Sequence, residues 1–360
     1  MTYRPYKIRR RYALQLLAGA SGAILLNACN PQSDSAGDDS AEDVSTEATP
    51  AEGTESPSLS LTMGSIPWAG QVPMYIAQEQ GYYEEEGLDF ELRLFGSGSE
   101  YIAAFLSDQL DAVAPVTSEA VLIKSQGKDF KIVMVQDNSV GIDGILARDS
   151  ITSIEDFKGK RVAVETSAVG YFFLLQVLKE AGLTKDDITA VNTEPSAAAA
   201  AFQSGNVDIA VTYAPFLQEA ADATDDGRII YDSSQMPTAI SDLYVFDTAF
   251  AEENPQTVQA FVNATLRGVD YLEENPEEGI EIGAAELEME AADLESDLGG
   301  LELPDQTANL EMLAQPDSDL YLGKPLAELS TFLLEEGQIE SDPGDLSTLI
   351  EPQFVEAADV

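Results

Sequence analysis

From residue 59 onward the chain alternates short apolar stretches with longer segments of helical periodicity. Residues 59–65 alternate, and so do 88–95, with Leu88, Phe90, Leu92 and Leu94 set against Asp89, Glu91 and Arg93. A period of two predicts half-buried strands. Between them Pro67, Gly70 and Pro73 mark a turn, and 74–86 predicts a helix stopped by Gly87. Gly96-Ser97-Gly98-Ser99 predicts a turn capping a helix over 100–107. A short strand follows at 111–114, a helix opens at 115–118, and 131–136 reads as a buried strand. The pattern then restarts: a short helix at 153–157, a strand at 161–164 and an apolar helix at 168–181 ended by Gly182. Next come strand 188–192, helix 196–203, strand 207–211, helix 215–223 and strand 228–231. Beyond 255 the pattern is mainly helical, over 255–273, 276–287, 291–298, 305–315 and 326–336. Such alternation argues for parallel α/β layers. Two tandem units of about ninety residues each suggest two lobes with a cleft between them.

The N-terminus has a different character. Arg4, Lys7, Arg9, Arg10 and Arg11 precede an uncharged apolar run over 12–26, and Asn27, Ala28 and Cys29 follow. A basic segment, a short apolar run and a small residue before a cleavage point make a secretory signal over 1–28. The run is too short for the ~20 residues of a permanent membrane span. Leu26-Asn27-Ala28-Cys29 resembles a bacterial lipobox, which implies lipidation of Cys29, and Arg9-Arg10-Arg11-Tyr12 resembles a twin-arginine export motif. Residues 29–58 are almost all small, polar or acidic and hold no Lys, Arg or aromatic residue. That composition predicts a disordered acidic tether.

Composition narrows the chemistry. Of 360 residues, 65 are acidic and 18 basic, with no histidine and one cysteine, for a formal charge of −47. No Ser-His-Asp triad, Cys-His dyad, HExxH zinc site or cysteine-built metal site can be assembled, so no metal is expected. Such a charge repels phosphate backbones and excludes nucleic-acid partners. The acidic residues are spread along the whole chain, which suggests a halophilic or salt-tolerant source, where screening removes self-repulsion. Gly96-Ser97-Gly98 lacks the Lys-Ser/Thr ending of a nucleotide loop. No carboxylate pair stands out as glycosidase-like among so many.

Five segments together resemble the solute-binding proteins of ABC importers for nitrate, sulfonates, taurine and thiamine-pyrimidine precursors, the NitT/TauT-like family. They are IPWAGQVPMYIAQEQGYYEEEGLDFEL from 66, FLSDQLDAVAPVTSEAV from 105, ITSIEDFKGKRVAVETSAVGYFFLLQVLKEAGLTKDDI from 151, AAAFQSGNVDIAVTYAPFLQEA from 199 and FAEENPQTVQAFVNATLRGVDYLEENPEE from 250. The resemblance implies an α/β, type II-like, two-lobe periplasmic-binding-protein fold, with two Rossmann-like lobes and a hinge of two crossing strands. The solute-binding domain would span 59–360, with lobe I at 59–147 plus 245–360 and lobe II at 148–244. It also implies a monomer without cofactor or catalysis, held at the membrane by its lipid, which takes a small solute (a sulfonate or taurine, nitrate, or a pyrimidine-like compound) to an ABC permease. A pyrimidine-precursor synthase on the same fold and a sensory solute receptor are the alternatives; the synthases of that fold rely on histidine.

The resemblance places the ligand at helix starts and strand ends facing the cleft, where free N–H groups receive an anion without a basic side chain. The candidates are Trp68, Ala69 and Gln71 in the first turn, Ser97 and Ser99 at one helix start and Thr117 and Ser118 at the next. Asp137-Asn138-Ser139 and Asp143 stand where the chain should cross between lobes, and Asp143 could meet the ammonium of a zwitterion. Ser167 and Ala168 precede an apolar helix, Tyr213 ends a strand, and Asp242 precedes the return strand. Ala214 stands where the family often has an acid. If Cys29 is the anchor, Cys29→Ser moves the exported chain from the membrane fraction into the soluble extracytoplasmic fraction. Undiminished membrane association would show that Cys29 does not hold it there.

Overall fold

The computed structural model describes residues 59–166, 168–236 and 240–360. The export signal, the tether, Cys29 and Ser167 lie outside the described residues. The first stretch runs β1 (Leu59–Ser65), α1 (Val72–Glu79), α2 (Tyr82–Glu85), β2 (Leu88–Leu94), α3 (Gly98–Leu106), β3 (Ala112–Val113), α4 (Thr117–Ser125) and β4 (Phe130–Ser139). The expected helix over 74–86 is two helices, because Gly81 turns the chain at φ 76° between them. The second stretch runs β5 (Asp143–Arg148), β6 (Arg161–Val164), α5 (Val169–Glu180), β7 (Thr189–Asn192), α6 (Pro195–Gln203), β8 (Ile209–Tyr213), α7 (Phe216–Asp222) and β9 (Gly227–Asp232). The third runs β10 (Ser241–Asp247), α8 (Thr248–Glu253), α9 (Pro255–Glu274), α10 (Pro276–Leu287), α11 (Ala291–Leu298), β11 (Leu301–Glu302), α12 (Gln306–Ala314), α13 (Gly323–Glu335) and α14 (Gln353–Glu356).

These strands form a six-stranded sheet of order β11-β4-β10-β3-β1-β2 and a five-stranded sheet of order β7-β6-β8-β5-β9. The β1–β2, β1–β3, β6–β7 and β6–β8 pairs are parallel, as the alternating pattern predicts. β10 runs antiparallel to β3 and β4, and β5 antiparallel to β8 and β9, so both sheets are mixed. These strands lead into and out of the crossings. The chain leaves the first sheet after Ser139, enters the second at Asp143, and is back in the first by Ser241. By sheet membership the second lobe therefore begins at Asp143, ahead of residue 148, and the first resumes at Ser241, ahead of 245.

The first lobe is built around α9. Its apolar positions Val258, Phe261, Val262, Leu266 and Val269 recur at three- and four-residue spacing and are buried. Phe261 packs on Tyr83, Phe90, Tyr244 and Phe246, with ring centroids 5.1–6.0 Å away, a cluster worth more than its area alone. Along the edge of β4, fully buried Asn309 of α12 accepts from the Val135 N–H at 2.7 Å and donates to its carbonyl at 3.3 Å, which satisfies β4 where its neighbour β11 is short. In the second lobe, α5 buries Tyr171 through Leu175, Val177 and Leu178. A helix apolar on so many sides is covered on more than one face, and α5 touches β5, β8 and also α4 of the first lobe. Lys185 donates to the Glu336 carbonyl at 2.6 Å, a second tie between the lobes at the end of α13.

Helix α9 lies close on α1 because Gly268 has no side chain there. A β-carbon at 268 would collide with the Pro73 carbonyl, whose carbon is 2.9 Å away. Gly268→Ala should therefore lower stability by about 1–3 kcal/mol, read as an earlier denaturant midpoint. An unchanged midpoint would mean that the two helices part freely.

Candidate functional site

A cavity of about 690 Å³ lies where the two lobes face each other. The first lobe contributes the turn after β1, the start of α3 and the residues around Val116 before α4. The second contributes the starts of α5 and α6 and the end of β8. Leu287, Met289 and Asp297 close one side. The turn holds Trp68, half-buried, in the cavity wall. Its Nε1–H donates to Asp137 Oδ2 at 2.9 Å, and its ring meets Tyr213 of the opposite lobe edge-on, 5.8 Å between centroids at 87°. Gly70 makes this possible, since a β-carbon there would collide with the Asp137 carboxylate and lie 2.9 Å from Trp68 Nε1.

Trp68, Ala69, Gln71, Ser97, Ser99, Asp143, Ala168, Tyr213 and Asp242 all line the cavity. Gln71 is already spent as a buttress. Its amide nitrogen donates to Ser65 Oγ and to the Ile66 carbonyl, while its oxygen accepts from Tyr75. Thr117, Ser118 and Asn138 do not line it. Thr117 and Ser118 are turned into the packing of α4, and Ser118 Oγ has no partner. Asn138 is buried at the crossing, where its Oδ1 accepts from Ser241 Oγ at 2.7 Å. Beside it Ser139 Oγ donates to Asp143 Oδ2 at 2.7 Å and lies 2.6 Å from Ser233 Oγ, which accepts from the Gly141 N–H at 2.8 Å. Ser233 thus pins the outgoing crossing to the returning one.

A profile of NMT1/THI5-like proteins matches residues 68–279, more than half of the chain. The chain belongs to the NMT1/THI5-like family. Among its relatives, the taurine-binding periplasmic protein of Escherichia coli K12 is 26% identical over 296 residues, 79% of this chain and 89% of that protein. The periplasmic aliphatic sulphonate-binding protein SsuA of Escherichia coli superposes with a TM-score of 0.68 at 20% identity, covering 83% of this chain and 99% of the other. The desulfurization enzyme DSZB shares the fold at a TM-score of 0.60 and 18% identity, over 83% and 98% of the two chains. The fold is therefore the two-lobe periplasmic-binding-protein fold, and relatives of the chain are periplasmic binding proteins.

Within this NMT1/THI5-like frame the cavity departs from the expected anion site. Glu119, Asp143, Glu165, Glu194, Asp242 and Asp297 line it, and among the described residues no Lys or Arg does. Glu119 accepts from the Tyr101 hydroxyl and from the Val116 N–H at 3.2 Å. Its carboxylate also sits against Gly98, so a β-carbon there would collide with it. The chain's own acid thus meets the positive ends of α3 and α4 that were expected to receive an anionic solute. Glu119, Tyr101, Glu165 and Gln136 were not singled out in the sequence. The one available signal was Glu119 at the third position of a helix, where capping acids recur, and it is lost among 65 acids.

Burial decides the electrostatics. It raises Asp143 to about 6, despite the Ser139 bond that pulls the other way. Asp137 is likewise raised to about 6 by burial, against the donors Trp68 and Gln136. Asp242 lies opposite Asp137 in the strand register and shares a hydrogen bond with it. Burial first, then the charges of Asp137, Asp143 and Glu119, raise Asp242 well above the usual carboxylate range. Two touching carboxylates do not both ionise, so Asp242 keeps the proton. Burial also raises Glu119 and Glu165.

A carboxyl whose pKa is raised on folding stabilises the fold below its unfolded value and loses that contribution as pH rises through the folded one. For Asp143 the window runs from 3.8 to about 6, and its charge costs on the order of 3 kcal/mol at neutral pH. Asp143→Asn keeps an oxygen for Ser139 and removes the charge. The variant should melt several degrees above wild type at about pH 7.5 and converge with it near about pH 4. A constant difference across that range would show that the Asp143 charge does not set it.

Proposed function

We propose that the chain is the extracytoplasmic, lipid-anchored solute-binding component of an ABC importer. In this reading residues 1–28 direct export, Cys29 carries the lipid, 29–58 form the tether, and 59–360 act as a monomer that closes on a small solute and presents it to the permease. The cavity between the lobes carries the reading, because Trp68 from one lobe and Tyr213 from the other meet across it. A solute touching both walls binds the closed form better and so shifts the population toward it. The binding-protein relatives support the same reading. We read the dense acidic surface as an adaptation to salt, where screening weakens its self-repulsion.

The experiment is a thermal-shift screen of small solutes of both charge signs on the mature chain, followed by titration of Trp68 fluorescence. A true solute raises the melting temperature with concentration and alters the emission of the chain's one tryptophan. Tyr213→Ala should then weaken binding at least tenfold, about 1.4 kcal/mol, with the circular dichroism spectrum intact. Binding that leaves Trp68 emission unchanged and ignores Tyr213→Ala would place the solute elsewhere.

A further inference from the structure

Resting on the solute-capture reading above, we propose that the solute is an organic cation, with its N–H groups turned to the carboxylate wall and its apolar part against Trp68 and Tyr213. The wall charge comes from both lobes: Glu119 and Asp297 from the first, Asp143, Glu165 and Glu194 from the second, with the protonated Asp242 between them. No lining Lys or Arg offsets it among the described residues. Carboxylates repel an anionic guest and offer a neutral one only hydrogen bonds to its donors, while an ammonium, amidinium or guanidinium gains opposite charge along with each hydrogen bond.

A second observation, independent of charge, points the same way. Gln136 lines the cavity and is 3% exposed. Its nitrogen donates to Asp137 at 3.1 Å, while its Oε1 has no partner. A buried acceptor left without a hydrogen is costly, and a guest bearing N–H groups supplies one. A sulfonate or nitrate has no hydrogen to give. On the first-lobe wall Glu119 already stands at the starts of α3 and α4, where it accepts from the Val116 N–H and the Tyr101 hydroxyl. Among the described residues no group of three or more acidic side chains is placed to hold a metal ion, so the acids surround a volume suited to a molecule. The rings of Trp68 and Tyr213 supply the flat apolar contact and the negative ring faces that organic cations favour.

The test compares guests of one shape and three charges on the mature chain: benzamidine, benzamide and benzenesulfonate, together with agmatine and taurine. Trp68 emission and calorimetry are followed at high salt, so that loose attraction to the acidic surface is screened out. Benzamidine or agmatine should bind saturably and at least tenfold more tightly than benzamide, benzenesulfonate or taurine. Glu119→Gln and Asp143→Asn should each weaken the cation at least tenfold while circular dichroism stays unchanged. Saturable binding of taurine or benzenesulfonate without the cations overturns the cationic solute and leaves solute capture standing. Cation binding that both variants leave intact shows attachment outside the cleft and overturns the proposal. No saturable binding by any of the five overturns the cationic solute, and solute capture is then decided by the wider thermal-shift screen.

Discussion

Negative charge held in a cleft without a neighbouring cation is the constraint around which the rest of the site is arranged. Removing a carboxylate from water is expensive unless hydrogen-bond donors or a proton replace the lost solvent. Both remedies are present. Asp137 takes donors from Trp68 and Gln136, Asp143 takes one from Ser139, and Glu119 takes two from Tyr101 and Val116. Asp242, facing Asp137 across two strands, keeps its proton. The backbone yields to the same demand, since Gly70 and Gly98 lack the β-carbons that would strike the Asp137 and Glu119 carboxylates. Much of the local architecture therefore serves groups that lower the stability of the site they line.

The hinge belongs to this arrangement. Ser139 joins Asp143 and Ser233, and Ser233 also receives the Gly141 N–H, so the two crossings are linked through buried hydroxyls. A change in the charge of Asp143 is thus felt where the lobes turn on each other. The cavity wall and the crossings share one buried polar network, in which neighbouring bonds reinforce one another.

Most elements were legible because their periodicity is strong. Helices α10 and α11 run over the residues that the pattern assigns, and α5 and α9 agree within a residue at each end. The gaps lie where polar residues enter strands. β4 continues through Asp137, Asn138 and Ser139, which an apolar-run criterion stops at 136, because pairing with β10 and β11 satisfies them there. β5 went unseen because Asp143 and Gly144 break its alternation, and the direction of β5 and β10 has no local signature at all. For the site, Trp68, Tyr213 and Asp143 were visible at turns and strand ends. Glu119 and Gln136 were not, since an acid inside a helix and an amide inside a strand acquire meaning only when another segment is brought against them.

The second sheet is made from one uninterrupted stretch, Asp143 to Asp232, whereas the first needs chain from both sides of it. During synthesis the inserted lobe can complete its pairings while β10 is still unmade, and the first sheet must wait for strands separated by about a hundred residues of intervening chain. Long-range pairing of that kind is slow. The pair Asp137 and Asp242 therefore forms only when β10 docks, together with the burial of Leu243, Tyr244, Val245 and Phe246 in the first core.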